Sequence, residues 1–157
     1  MTSYTEGMRE VIGPRRLFVP GVRAVIVNDR EELLLQRRTD TALWGLPGGA
    51  VELDETALEA LRREVAEETA LVVIEAEPMA LYSGPKHRFD YPNGDQVQCF
   101  ALAFLVRKWE GHPQADGREG SEVQFFPLSR LPEDLVPLHF STIEDYLRYE
   151  GSFLLSG

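Results

Sequence analysis

The chain has one cysteine, Cys99, in 157 residues, so no internal disulfide can brace it. Disulfide-free chains are the norm in reducing compartments, which makes the cytoplasm the expected location. No apolar run approaches the roughly 20 residues of a membrane-spanning helix. The opening stretch MTSYTEGMREVIGPRR lacks the apolar middle of a signal peptide, so neither membrane insertion nor export is expected. Positive charge is also short: 16 Lys and Arg stand against 26 Asp and Glu, a formal net charge of −10. General nucleic-acid binding runs on neutralising phosphates with Lys and Arg, and this balance argues against it. A small phosphorylated ligand is a different matter, because bound cations and a few arginines reverse the local sign. Repeats, low-complexity tracts and domain boundaries are missing too. The length is that of a single domain, residues 1–157, with one substantial core.

What is present is a succession of short elements. Residues 2–11 predict a short helix with Ser3 or Thr5 near its start, ending before Gly13-Pro14. VRAVIVN and ELLLQRR, separated by a polar turn at 28–31, read as a strand pair. LWGLP then leads to Gly48-Gly49, whose missing side chains permit a tight backbone approach and whose carbonyls can ligate a metal. Asp54 is the expected N-cap of the helix that follows. LVVIEAEPMALYS predicts an extended segment interrupted by Pro78, and QVQCFALAFLV a central strand buried on both faces. Residues 122–127 predict a further strand and residues 141–149 a closing helix. Strands, a helix, more strands and a last helix predict an α/β (α+β) fold with a sheet covered on both sides.

The most informative stretch runs from Gly49 to Leu71, GAVELDETALEALRREVAEETAL, with seven acidic residues and two arginines. At about 100° per residue, Leu58, Leu61 and Val65 form one apolar stripe. Glu64, Glu67 and Glu68 fall on its flank at i, i+3 and i+4, so their carboxylates converge, and like charges at that spacing repel by roughly a few tenths of a kcal/mol per pair. A hard divalent cation offsets the repulsion, since Mg²⁺ takes carboxylate oxygens, keeps several waters and completes its shell with substrate phosphates. Arg63, four residues from both Glu59 and Glu67, can hold either carboxylate in a fixed rotamer, the support a metal ligand needs. Three such glutamates alone would read as a solvated helix face. The offsets of the whole set, from Gly49 through Glu55, Arg63-Glu64 and Glu67-Glu68, favour chemistry.

That spacing, with the lead-in TALWGLPGG, resembles the Nudix box, the signature of hydrolases that cleave a nucleoside diphosphate linked to another moiety. The resemblance covers most of the chain, with the flanking strands and EVQFFPLSRLP as weaker support. LYSGP, YPNGD and a later G-x-x-x-x-D segment are similar to a bacterial, MutT-like subgroup. One position departs from the pattern: the box normally ends Glu-Glu-x-Gly, and Ala70 stands where the glycine would be. An alanine held in the left-handed conformation that glycine supplies costs about 1 kcal/mol. The resemblance implies an α/β/α sandwich around a central mixed β-sheet, with Mg²⁺ (or Mn²⁺) as cofactor. It also implies that Glu64, Glu67, Glu68 and the Gly49 carbonyl bind the metal, that Glu55 supports them and that Arg63 orients a catalytic glutamate. The implied reaction is attack of a metal-bound water on a phosphorus of the diphosphate, releasing a nucleoside monophosphate and a phosphorylated remainder. Nucleoside triphosphates, oxidised nucleotides and nucleotide sugars such as ADP-ribose are the implied substrates.

The general base stays open between Glu67 and Glu68 inside the box and Glu119 and Glu122 beyond it, and Glu122 reads equally as an exposed strand residue. Arg23 and Arg37 are candidate phosphate contacts. Alternation puts Arg37 and Arg38 on opposite faces of their strand, so at most one of them faces inward. Trp44, His87 and Tyr91 are candidate substrate contacts, with Phe89 beside them and Tyr82 expected in the core; a surface position is the competing reading for His87. Selection of base and leaving group is expected in residues 82–95 and 107–120. The expected partner is a small-molecule nucleotide, and a homodimer is left open. A catalytically silent nucleotide-sensing Nudix module is the alternative function, although a sensor need not keep Glu55, Arg63, Glu64, Glu67 and Glu68, and all five stand. A helix that merely binds a partner would be indifferent to Mg²⁺.

Overall fold

A computed structural model describes residues 2–156. Its elements are α1 (Tyr4–Ile12), β1 (Leu17–Val25), β2 (Glu32–Arg38), β3 (Trp44–Gly45), β4 (Gly48–Ala50), α2 (Ala57–Thr69), β5 (Val72–Tyr82), β6 (Arg88–Asp90), β7 (Gln96–Glu110), β8 (Gly120–Pro127), α3 (Phe140–Arg148) and β9 (Leu154–Ser156). α1 starts at a reciprocal cap: the Ser3 hydroxyl accepts the Glu6 amide at 3.2 Å, and the Glu6 carboxylate accepts the Ser3 amide at 2.9 Å. α2 is capped in the same way, two residues later than expected. Thr56, not Asp54, is its N-cap, with Thr56 Oγ1 accepting the Glu59 amide at 3.2 Å and Glu59 accepting the Thr56 amide at 2.8 Å. This pairing satisfies two backbone donors where a lone aspartate satisfies one, and Asp54 is left in the preceding turn at φ 62°.

Side-chain alternation divides the core in two. Val22, Ala24, Ile26, Leu34, Phe104 and Val106 turn to one face, where they meet Ala60, Leu61 and Val65 of α2. Val25, Leu33, Leu35, Ala101, Ala103 and Leu105 turn to the other, where they meet Tyr82 of β5 and Ile143 of α3. β7 is therefore buried on both faces, as its unbroken apolar run requires, and a helix on either side completes an α/β/α sandwich. Complete burial of Leu61 and Val65 contributes roughly 1.5–3 kcal/mol each. It also fixes the rotation of α2, and with it the direction of Glu64 and Glu68.

The strands form a six-stranded mixed sheet, in the order β4-β1-β7-β5-β9 with β6 on β7, and a smaller three-stranded sheet, β3-β2-β8. β1 runs parallel to β7 and β9 parallel to β5; the other pairs are antiparallel. The residues just after β1 meet β2 at the Val27–Leu33 bridge, through the Leu34 amide on the Ile26 carbonyl at 2.9 Å and through the Asn28 amide on the Glu32 carbonyl at 3.0 Å, while β1 and β2 themselves lie in different sheets. Pro78 does not end β5. The pairing with β7 slips between Pro78 and Ala80, a bulge that absorbs a residue unable to donate. α2 ends on Ala70 at φ 63°, ψ 10°, so the alanine does take the left-handed conformation. Among the described residues no helix is long and apolar enough to cross a membrane.

Candidate active site

Arg63 is the hub of the box. Its Nε and a terminal nitrogen grip both oxygens of Glu55, at 2.7 and 2.9 Å. The other terminal nitrogen donates to Glu64 at 2.7 Å and lies 3.4 Å from Glu67, and a fifth bond reaches the Ala50 carbonyl at 3.0 Å. Such a planar fork suits a bidentate carboxylate. The guanidinium holds the Glu55 carboxyl below the usual carboxylate range. Glu59, the other expected partner, is occupied with the helix cap. Glu55 also accepts the Glu52 amide at 3.0 Å, and Glu52 accepts the Tyr4 amide at the start of α1 at 2.9 Å.

Three carboxylates converge beside this hub. Glu64, Glu68 and Glu119 each bring one oxygen to within 4.8 Å of the others. Glu64 is 7% exposed and Glu68 2% exposed. Burial pushes the Glu68 carboxyl up to about 8, and the charge of Glu64 adds to the rise. The Gln36 side chain, the Gly48 amide at 2.9 Å and Arg38 pull the other way. Glu64 is raised by burial as well, against the pull of Arg63. Two buried carboxylates and a third facing them cannot all ionise cheaply unless a cation joins them.

The donor set fits a hard divalent ion: oxygen ligands, anionic, two of the three on a rigid helix. The backbone fits too. A Cβ on Gly49 would lie 2.5 Å from a Glu64 carboxylate oxygen, so only glycine lets the strand lie against that carboxylate. Glu119 arrives from outside the box. The Asp116 carboxylate accepts the Arg118 and Gly120 amides at 3.0 Å and the Glu119 amide at 3.4 Å. Thr39 anchors the same turn through its amide on the Glu119 carbonyl at 2.9 Å and its hydroxyl on the Arg118 carbonyl at 2.7 Å.

The other expected residues scatter. Glu67 is exposed and lies outside the three-carboxylate cluster. Glu122 also lies outside it and faces Arg37 at 3.5 Å on the outer surface. Arg37 and Arg38 do point to opposite sides, and the inward one is Arg38, on the side of Gln36 and Leu34. Arg38 is held by Asp40 through bonds of 2.9 and 2.7 Å and stands close to Glu68 and Tyr91. Arg23 is buried and spent on structure, donating to Thr142 Oγ1 at 3.0 Å and the Leu138 carbonyl at 3.2 Å over the Tyr82 ring. Trp44 is a core residue, edge-on to Phe126 with centroids 4.8 Å apart. His87 is not a surface histidine: it is 4% exposed and packs on Tyr82. Tyr91 stays half-buried beside Phe89.

Two residues without a sequence signal also stand near Arg38. Gln36 contacts Glu68, and His139 accepts the Leu46 amide on Nδ1 at 2.9 Å. Burial and the charges of Arg23 and Arg38 keep His139 neutral. Two cavities of about 470 and 360 Å³ open beside α3, and neither is lined by a box residue. The carboxylates mark the site better than the cavities do, because a solvated cation and a polyanion need no enclosed apolar pocket.

The NUDIX domain family matches residues 17–146. An ADP-ribose pyrophosphatase of Methanocaldococcus jannaschii is 33% identical over 132 residues, covering 83% of this chain and 73% of that protein. An 8-oxo-dGTP diphosphatase of Escherichia coli (strain K12) is 31% identical over 117 residues, 72% of this chain and 83% of that protein. The crystal structure of a MutT NUDIX hydrolase from Burkholderia pseudomallei is similar at a TM-score of 0.70 and 25% identity, covering 83% of this chain and 98% of its own. With its box, its sandwich and these relatives, the chain belongs to the Nudix family, as a MutT-like hydrolase of phosphoric anhydride bonds.

Proposed function

We propose that the chain hydrolyses the diphosphate linkage of a nucleoside diphosphate derivative, with Mg²⁺ or Mn²⁺ held by Glu64, Glu68 and Glu119 and the Gly49 carbonyl beside them. The convergence of the three carboxylate oxygens within 4.8 Å carries this reading. When bound, the ion would lower the pKa of an attacking water and neutralise charge developing on the phosphates. The chain's own residues do the rest. Arg63 locks Glu55 and Glu64 in place, and the Gly48 amide fixes Glu68. Glu67, exposed, outside the cluster and only 3.4 Å from Arg63, is the box carboxylate to which we assign the water's proton. Arg38 and Tyr91 supply a cation and an aromatic ring for the nucleotide on the same side as Glu68. Glu122, tied to Arg37, has no part in this reading.

The substrate class is the portion that the relatives' substrates have in common. 8-oxo-dGTP and ADP-ribose differ in base and in leaving group, and both contain a nucleoside diphosphate. The test is release of nucleoside monophosphate from a panel of nucleoside triphosphates, oxidised purine triphosphates, dinucleoside polyphosphates and ADP-ribose, with Mg²⁺, with Mn²⁺ and with chelator. Chelator-sensitive turnover of one class is expected. Tight nucleotide binding with no turnover of any of them would replace the hydrolase by a silent sensor.

A further inference from the structure

Gln36 is explained neither by packing nor by the box. It follows Leu33-Leu34-Leu35 on β2 and is 1% exposed, and an amide buried among leucines is costly unless both its polar ends are bonded. One end lies against the Glu68 carboxylate, close enough to lower its pKa. Only the NH₂ group can donate to an ionised carboxylate, which leaves Oε1 for something else. That oxygen is sealed from solvent and has no protein donor among the described residues.

Its surroundings say what the missing donor is. A Cβ on Gly120 would come within 2.8 Å of Gln36 Oε1, so the glycine is what keeps the space beside the oxygen open. Gly120 directly follows Glu119, whose carboxylate converges on those of Glu64 and Glu68. The oxygen thus sits between the helix that carries two of the carboxylates and the turn that carries the third. With no protein donor bonded to it, the fitting donor is a water, and a cation's water turns its protons outward toward such acceptors.

We propose that Gln36 is a positioning residue of the site: its NH₂ holds Glu68 in a ligating orientation, and its Oε1 fixes a water of the cation's shell. This rests on the reading of Glu64, Glu68 and Glu119 as cation ligands. Gln36→Met keeps the volume and removes both functions. Mn²⁺ affinity, read by electron paramagnetic resonance of the free ion, should fall by about 10- to 100-fold. kcat should fall more than KM changes. Thermal unfolding in chelator should move up or stay, because an unsatisfied buried oxygen has been removed. A lower unfolding temperature with unchanged Mn²⁺ affinity would make Gln36 a packing residue and overturn the proposal. Gln36→Leu is run beside it, and failure of both variants to fold would have the same meaning. Equal Mn²⁺ binding by wild type and variant overturns the role of Gln36 alone. No Mn²⁺ binding by the wild type overturns the cation reading first and the proposal with it.

Discussion

α2 and α3 lie on opposite faces of the molecule and both bury charge, yet they treat it in opposite ways. On the α3 side the buried charged groups meet a partner, although the Nδ1 of His87, packed on Tyr82, has none among the described residues. Asp145, 3% exposed, accepts the Tyr82 hydroxyl at 2.8 Å and pairs with Arg148, while Thr142 and the Leu138 carbonyl take the guanidinium of Arg23. On the α2 side Glu64, Glu68 and Glu119 face one another, and one arginine is shared between Glu55, Glu64 and Glu67. Burial alone therefore does not separate structural from chemical polar residues in this chain. The facing of like charges does: the α3 set holds the fold together through paired groups, and the three facing carboxylates are the set we propose a cation completes.

The comparison breaks most sharply at Glu68. Glu68→Gln should reduce turnover by on the order of 10²–10³-fold, because it removes an anionic ligand at constant shape. In chelator the same variant should melt higher than wild type, since it removes a charge the site cannot pair. A variant with full activity, or one that melts lower in chelator, would place Glu68 with the structural set.

The metal-free protein should also respond to pH in a particular direction. Burial raises the folded Glu68 carboxyl to about 8 from an ordinary value of 4.5. Below that ordinary value both states are protonated and the group has no effect. As pH rises past it the unfolded chain ionises first, the folded state binds more protons, and stability falls. The loss is complete above the folded value and amounts to roughly 3–5 kcal/mol. Unfolding temperature against pH in chelator should slope downward over this window, and saturating Mg²⁺ should flatten it. Superimposable curves with and without Mg²⁺ would undo the contrast between the two faces.

On the α3 side the expectation reverses. Asp145→Ala should cost about 2–3 kcal/mol by urea denaturation, leaving the Tyr82 hydroxyl buried without its acceptor. The kcat of the folded fraction should stay at the wild-type value, and a loss of turnover at equal folding would carry α3 into the chemistry. Smallest of all, Ala70→Gly should stabilise by about 1 kcal/mol, because glycine accepts the left-handed exit of α2 at no steric cost. Unchanged stability would mean that the helix end relaxes around the alanine.

Much of this is legible in the sequence itself. The 3.6-residue stripe predicted that Leu61 and Val65 would be buried, and that orientation is what turns Glu64 and Glu68 inward. The unbroken apolar run of β7 predicted a strand covered on both faces, and alternation predicted that Arg37 and Arg38 would diverge. The cap at Thr56 was in plain view as Thr56-x-x-Glu59, a stronger signal than Asp54. What periodicity does not encode is which of two divergent arginines faces in, since that depends on the register between β2 and β8 and the slip at Arg37/Arg38. The same register brings Glu119 to the carboxylates and leaves Glu122 outside. The burial of Trp44 and His87 is not legible in the sequence, because loops and short strands carry no burial signal of their own and long-range packing decides both.

The three converging carboxylates come from two kinds of scaffold, a helix locked into the core and a surface turn wound around Asp116. Descent with modification therefore has two separate handles on the site. Changes in α2 are constrained at once by packing, by Arg63 and by chemistry, so that segment should drift slowly. The turn is constrained mainly by Asp116, Thr39 and the open space over Gly120, and its neighbours are free to vary. A lineage could retune how firmly the ion is held, or which nucleotide is preferred, by altering that turn while leaving every residue of the box as it is.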